Sequence, residues 1–158
     1  MSSTSQNGTR LAAERQAFMR VYTQATDSDL AKTVNQFGAE AGATDIRAPE
    51  TGLIMLRGRI GGGGAPFNVG EATVTRAVVQ LRSGELGYGF LLGRSADKAR
   101  LAAILDALAQ SSVDARHVIK TVLVAPVTER VAREQAAARS KTAATRVDFF
   151  TLVRGEDD

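Results

Sequence analysis

Apolar side chains recur at helical spacing near the start of the chain. Residues 10–25 have the pattern of an amphipathic helix, whose apolar face is made by Leu11, Phe18, Val21 and Tyr22. A second, shorter helix is predicted to begin near Ser28, a residue type that caps helices, and to end at Gly38. Its apolar stripe consists of Leu30, Val34 and Phe37.

The pattern then changes from helical to extended. Residues 39–51 are predicted to form a loop, and strands are predicted at residues 52–60, 69–81 and 86–93. The dipeptide Ser83-Gly84 is a hairpin signal between the last two strands. Because side chains alternate along a strand, the third strand has two unlike faces. One face carries Leu86, Tyr88, Phe90 and Leu92, and the other carries Gly87, Gly89 and Gly93, where another segment can pack closely.

The second half of the chain returns to helical spacing. A helix capped by Ser95 is predicted to run to Gln110 and to bury Leu101, Ile104, Leu105 and Leu108. Residues 117–125 suit a strand, and a helix is possible there too. An Ala-rich helix with a weak apolar face is predicted at 127–143, and residues 146–153 are strand-like again.

Strands clustered in the middle of the chain, with helices on either side, predict the fold class. We expect an α+β fold in which helices flank an antiparallel meander. The 158 residues predict a single domain, which we assign to residues 10–155. Residues 1–9 are predicted to be a disordered lead-in, and residues 156–158 form an acidic tail.

The amino-acid inventory excludes several chemistries. The chain has no cysteine and one histidine, His117, so a cysteine nucleophile, an iron–sulfur cluster and the usual tetrahedral zinc sites lack their ligands. His117 is interpreted as structural or exposed, and we predict neither catalytic nor metal-binding residues. The formal charge of +3 is low for a nucleic-acid binder. Neither a secretory signal nor an apolar stretch long enough for a bilayer is present, so we expect a cytoplasmic protein without membrane contact.

The glycine run at 61–64 is the first candidate for a site. Bare backbone amides of Gly61, Gly62, Gly63 and Gly64 could converge on phosphate oxygens or allow a partner to approach closely. A nucleotide loop also needs Lys and Ser or Thr at the start of a helix. Here the glycines lead into Ala65, Pro66 and a predicted strand, so a flexible strand connection is the ordinary alternative.

Four arginines near this run are a second candidate. One interpretation is that Arg57, Arg59, Arg76 and Arg94 form a basic patch that holds a phosphate or a partner carboxylate. The alternative is a solvated sheet face on which these arginines pair with Glu50, Glu71 or Glu85.

Four sequence blocks, in order, resemble one known family. The blocks are RAPETGLIMLRGR at 47–59, GGGGAPFNVGEATVTRA at 61–77, LGY at 86–88 with Gly93-Arg94, and RVDFFTLVRG at 146–155. Together they are similar to the G subunit family of the bacterial carbon–phosphorus lyase core complex, over roughly residues 14–156. The run of four glycines and the leading tail depart from the family pattern.

The resemblance implies a supporting role in phosphonate breakdown. Members of this family assemble with H, I and J subunits and work with ATP-binding-cassette-type K and L proteins. The complex replaces the adenine of MgATP with a phosphonate at ribose C1. The nucleosidase-type chemistry is attributed to the I subunit, and carbon–phosphorus cleavage to the J subunit, which holds an iron–sulfur cluster and uses S-adenosylmethionine. This chain is therefore expected to bind no cofactor itself.

The hypothesis from these observations is that the chain folds against the I subunit. The candidate contact surface comprises the glycine run at 61–64, the Gly87, Gly89 and Gly93 face, and Phe149-Phe150. A stand-alone anion or nucleotide binder that uses the glycine run and the four arginines is one alternative. A small nucleic-acid module is another, although two Tyr, six Phe and no Trp supply few stacking platforms.

Overall fold

The computed structural model describes residues 3–38, 42–59 and 63–144, with only the backbone described for residues 3–10, 143 and 144. These residues form five α-helices, three β-strands and one π-helical segment. The elements, in chain order, are α1 (Ser3–Gln24), α2 (Asp27–Phe37), β1 (Ala43–Gly58), β2 (Phe67–Leu81), β3 (Leu86–Leu92), α3 (Ala96–Ser111), α4 (Val113–Ile119), the π-helical segment (Lys120–Val124) and α5 (Ala125–Ala144).

The described strands form an antiparallel meander in the order β1-β2-β3, as predicted. Gly84 adopts a φ of 104° in the β2–β3 turn, a conformation that glycine tolerates best. The predicted loop at 39–51 is wrong from Ala43 onward, because β1 begins there and pairs with the end of β2. Pro49 lies within the register shift between Arg47 and Glu50, on an edge strand where a missing N–H is tolerated.

Helix α3 packs on one face of the sheet and forms the centre of the core. Its Ile104, Leu105 and Leu108 are buried as predicted, and they meet Ala77, Val79 and Leu91 of the sheet. Ser95 occupies the predicted N-cap position but makes no side-chain cap hydrogen bond. Helices α1, α2 and α4 contact α3, and residues 102–109 of α3 are all buried, so α3 lies between the sheet and a layer of helices. The α+β prediction is confirmed.

Helices α1 and α2 begin earlier than predicted. The structure has α1 from Ser3, where the sequence predicted a disordered lead-in at residues 1–9. Extending a helix whose later turns are anchored by Phe18 and Tyr22 costs little compared with nucleating one. Helix α2 is capped by Thr26 rather than Ser28, because Thr26 and Asp29 form a capping box. Gly38 ends α2 in the left-handed conformation, as expected for a C-cap glycine.

Residues 117–125, predicted as either strand or helix, are helical. They belong to one continuous helical rod made of α4, the π-helical segment and α5. Its buried or partly buried side chains recur every fourth residue, at Ala115, Ile119, Leu123, Val127 and Val131. A regular α-helix drifts by about 40° over each such step. The wider π-helical turn reduces that drift and keeps the stripe on the core.

A buried carboxylate joins α1, α3 and the edge strand β3. Asp106 of α3 accepts hydrogen bonds from the Arg15 guanidinium and from the Tyr88 N–H, at 2.8 Å and 3.0 Å from Oδ2. Gln110 of α3 also donates to the Leu86 carbonyl at 2.9 Å. Helix α3 therefore satisfies two backbone groups on the otherwise unpaired edge of β3.

Across the described residues, none of the helices combines the length and the apolar character needed to cross a bilayer. The predicted strand at 146–153, the Phe149-Phe150 pair within it and the acidic tail at 156–158 lie outside the described residues.

Candidate interaction surface

The sheet face opposite α3, here called the outer face, carries large exposed apolar side chains. Along β3 the exposed and buried residues alternate strictly, because the odd-numbered residues face α3. The outward side chains of Tyr88, Phe90 and Leu92 are 49%, 46% and 72% exposed. Leu86 on β3 and Ile46 on β1 extend the same apolar surface. In the described part of the chain, α1 lies beside Tyr88 at the edge of this surface, and these side chains stay 39–72% exposed.

A charged row crosses the outer face beside these aromatic residues. Glu50 of β1 accepts from Arg76 of β2 at 2.5 Å and from Arg47 at 3.2 Å. The hydrogen bond from Arg76 lowers the pKa of the Glu50 carboxyl, and Arg47 adds to this effect. Arg47 and Arg76 also line a hollow of about 510 Å³ together with Ile46, Val78, Tyr88 and Phe90. An apolar hollow beside fixed charges is the usual composition of a protein-binding surface.

The glycines of β3 face inward, which corrects their predicted role as a partner contact. A Cβ on Gly87 would lie 1.9 Å from the Ala103 carbonyl oxygen, and a Cβ on Gly89 would lie 2.0 Å from that of Ala99. The close approach expected from these glycines therefore exists, but α3 of the same chain makes it. The sequence signal was the spacing of Ala99, Ala103 and Ala107, which gives α3 a flat face against the strand.

The remaining predicted glycines have different surroundings. Gly93 is exposed, has a φ of 93° and forms the turn between β3 and α3. Gly63 and Gly64 lie in an exposed turn before β2. Gly61 and Gly62 lie outside the described residues, so their predicted contact with a partner or a phosphate stays a prediction.

The four candidate arginines do not converge. Arg57 lies opposite Asn68, and Arg76 lies opposite Glu50, so the two are separated by eight residues of β2, roughly 26 Å in an extended strand. Arg94 follows Gly93, whose N–H donates to the Thr73 carbonyl between those two positions. Arg76 is also paired with Glu50, which was the alternative considered from the sequence. A single basic patch is therefore not formed by Arg57 and Arg76 together.

The described residues offer little acid–base chemistry. His117 is exposed on α4. Within residues 3–38, 42–59 and 63–144, no three His, Asp or Glu side chains come together as a possible metal site. The one strongly buried carboxylate, Asp106, is held by Arg15, Tyr88 and Gln110 and serves the fold. Among the groups described, the outer face is therefore the feature with the clearest functional meaning.

Sequence reasoning did not select the aromatic residues of this face as candidate contact residues. It separated Tyr88 and Phe90 from the glycines correctly, since alternation along a strand is a local property. It did not identify which side α3 covers, which depends on contacts distant in sequence. The sequence did contain a signal, because large side chains alternate with glycines along β3. A helix can pack closely only on the glycine face, so the large side chains lie on the opposite face.

Two comparisons relate the whole chain to known proteins. Residues 13–155 match the family model described as phosphonate metabolism protein PhnG. Over 145 residues the chain is 49% identical to the alpha-D-ribose 1-methylphosphonate 5-triphosphate synthase subunit PhnG of Rhizobium meliloti (strain 1021). The match covers 92% of this chain and 92% of that relative.

Proposed function

We propose, since the chain belongs to the phosphonate metabolism protein PhnG family, that it is a non-catalytic subunit of a synthase that forms α-D-ribose 1-methylphosphonate 5-triphosphate. In that reaction the bond between ribose C1 and the adenine of MgATP breaks. A bond between C1 and a phosphonate oxygen forms, and adenine leaves with a proton. We assign none of these steps to this chain, which has no cysteine and only one histidine.

The observation that supports a structural role is the uncovered outer face. Tyr88, Phe90 and Leu92 are half to three-quarters exposed on one side of a three-stranded sheet. Burying the exposed half of Tyr88 or of Phe90 against a partner would contribute roughly 1–1.5 kcal/mol each. Aromatic residues that enter a partner's pocket commonly supply most of the binding free energy of an interface. We therefore assign Tyr88 and Phe90 as the anchors of a subunit contact.

The proposed direct partner is the I subunit, with H and J as further members of the assembly. The ATP-binding-cassette-type K and L proteins are proposed to join it. MgATP, the iron–sulfur cluster and S-adenosylmethionine are proposed to be bound by these companions rather than by this chain. The proposed site of action is the cytoplasm, where MgATP is available.

The test is co-expression of outer-face variants with the companion subunits. We expect Tyr88→Thr with Phe90→Thr to abolish co-elution with the I subunit and to reduce adenine release from MgATP and methylphosphonate. Thr suits a strand, so the isolated variant should keep its circular dichroism and its Tm. Val113→Thr, at a 75% exposed apolar residue on α4, is the matched control and should assemble normally.

Two results would contradict the proposal. One is normal assembly and activity of the Tyr88→Thr, Phe90→Thr variant, which would remove the outer face from the contact. The other is turnover of MgATP and methylphosphonate by the purified chain alone, which would remove the non-catalytic role.

The stand-alone anion binder has no such support. It needs Arg57, Arg59, Arg76 and Arg94 to converge, and Arg57 and Arg76 lie at separate positions along the sheet. Calorimetry of the isolated chain with MgATP is expected to give no saturable binding.

A further inference from the structure

Strands β1 and β2 continue well past the end of β3. Val74 of β2 pairs with Leu92, the last residue of β3, whereas β1 and β2 remain paired from Leu53↔Thr73 to Gly58↔Phe67. Residues 53–58 and 67–73, here called the ribbon, are therefore two-stranded over roughly 20 Å. Helix α3 begins only after the turn at Gly93, which bonds to Thr73, so the ribbon extends beyond the helical layer.

The ribbon is apolar on both faces. Leu53 and Met55 lie opposite Thr73 and Glu71, on the side of the sheet that faces α3 farther along, and they are 63% and 54% exposed. Ile54 and Leu56 point to the outer face, and Leu56 is also exposed. An unbroken apolar run is typical of a strand covered on both sides.

A two-stranded ribbon that exposes apolar side chains on both faces is energetically unfavourable in water. An isolated two-stranded hairpin is marginally stable in water, and long apolar edges favour aggregation. Val69 packs closely over Gly58, where a Cβ would lie 2.6 Å from its Cγ2, so one cross-strand contact is already built into the ribbon. The rest of its apolar surface requires cover from outside the described chain.

The charge at the far end of the ribbon indicates what covers it. Arg57 and Arg59 are exposed there, and no carboxylate of the described residues forms an ion pair with either. Glu71 is the one acidic residue within the ribbon. A second copy of this chain, stacked about a two-fold axis, would cover one face of each ribbon and leave the other exposed.

We infer that the ribbon inserts into a cleft of a companion subunit whose two walls are apolar, so that both faces of the ribbon are covered. Carboxylates of that subunit form ion pairs with Arg57 and Arg59. This inference rests on the proposed function. It differs from the outer-face contact because it requires cover on the α3 side of the sheet as well, at Leu53 and Met55. Contacts at both the ribbon and the outer face would then fix the position and the orientation of this chain in the assembly.

Hydrogen exchange followed by mass spectrometry tests the insertion directly. In the free chain we expect fast exchange of the backbone amides at 53–58 and 67–73, and in the assembled complex exchange at least about tenfold slower. The α3 amides, already in the core, are the internal reference and should change little. Assembly of the wild-type complex with unchanged ribbon exchange would overturn the inference and leave the proposed function standing. Failure of the wild-type chain to assemble at all would instead count against the proposed function.

Substitutions on the ribbon test the contribution of its α3-side face and that of its arginines separately. Leu53→Thr with Met55→Thr changes only the α3 side, and we expect at least about a tenfold loss of affinity for the companion subunits. Normal affinity of this variant would overturn insertion. Arg57→Glu with Arg59→Glu should weaken assembly more at low salt than at high salt, whereas Arg139→Glu on α5 should not. If the ribbon arginine variant assembled normally and instead raised the KM for MgATP, the arginines would bind substrate and their assignment to partner carboxylates would be wrong.

Discussion

Arg15 and Asp106, which are 91 positions apart in the chain, form a two-pronged ion pair with Nε–Oδ1 at 3.1 Å and Nη2–Oδ2 at 2.8 Å. The Asp106 side chain is 4% exposed, whereas that of Arg15 is 39% exposed. The hydrogen bond to Asp106 raises the pKa of the Arg15 guanidinium above its ordinary value. This pair links the first helix to the helix that carries the sheet, so it fixes α1 against the core.

Replacing Arg15 with Met is expected to destabilise the fold by about 2–3 kcal/mol, because a buried carboxylate would lose its counter-charge. This loss is smaller than that expected for a fully buried ion pair because Arg15 is partly exposed to water. Asp106 would also keep its hydrogen bond from the Tyr88 N–H. Urea denaturation of Arg15→Met measures it. Arg20→Met, at an exposed position of the same helix, is the control and should change stability by less than about 0.5 kcal/mol. Equal effects of the two variants would show that the ion pair contributes nothing.

Adding a methyl group at Gly87 or Gly89 should destabilise the chain by about 3 kcal/mol or more, because the new Cβ would overlap a backbone carbonyl of α3. A backbone oxygen cannot rotate away as a side chain can. Thermal unfolding of Gly87→Ala and Gly89→Ala measures the effect. Gly52→Ala, where nothing lies within 4 Å of the new Cβ, should stay within about 0.5 kcal/mol of the parent. A stable Gly87→Ala variant would mean that α3 does not lie this close to β3.

Tyr22→Phe is expected to raise stability by about 1 kcal/mol, because it removes a buried hydroxyl without a hydrogen-bond partner among the described residues. Tyr22 is fully buried beside Phe18, and burial raises the pKa of its hydroxyl, so the group stays neutral. Chemical denaturation of the isolated chain tests this. Tyr88→Phe removes a hydroxyl from an exposed side chain and should leave stability unchanged. A destabilised Tyr22→Phe variant would indicate that the hydroxyl is bonded after all, for instance to a buried water.

Asp29→Asn should lower stability at neutral pH and have no effect in acid. Hydrogen bonds with Thr26 lower the pKa of the Asp29 carboxyl from its ordinary value of 3.8. A lowered pKa means that the carboxylate stabilises the fold above that ordinary value and loses this effect as the pH falls through the folded-state pKa. The difference at pH 7 should be below about 1 kcal/mol because the cap is exposed. Tm measured from pH 7 to about pH 2.5 should therefore converge for the parent and the variant. Asp27→Asn in the same turn is the control, and a constant gap across this pH range would contradict the prediction.

Local sequence signals predicted where the helices and strands lie better than they predicted which elements pack against one another. Alternation of glycine and large residues along β3 correctly separated its two faces, because strand side chains alternate whatever covers them. The start of β1 at Ala43 was missed, because its polar residues and Pro49 become a strand only through pairing with β2. At 117–125 the Val, Ile and Thr residues favour a strand on propensity alone. The Ser112 cap and the buried stripe Ala115, Ile119 and Leu123 make this segment helical.

The candidate site was less predictable for the same reason. Arg57 and Arg76 look close in a list of basic residues, yet the register of β1 against β2 separates them. Tyr88 and Phe90 are exposed because α3 packs on the opposite face of β3, where the glycines lie. The assignment of Phe149 and Phe150 as contact residues stays a prediction.

The π-helical segment makes the direction of α5 depend on chain length. A π-helical turn holds one residue more than an α-helical turn. Deleting one residue between Lys120 and Val124 would therefore leave a regular helix in which Ile119 and Val127 are seven positions apart and share a face to within about 20°. Val127 should then stay on the core, and Arg130 should keep its 2.9 Å hydrogen bond to the Gln24 carbonyl at the end of α1. Inserting one residue there would instead turn α5 by roughly 100° about its axis and remove both contacts. A single-codon deletion in this segment should therefore be tolerated, whereas a single-codon insertion should detach the last helix from the rest of the molecule.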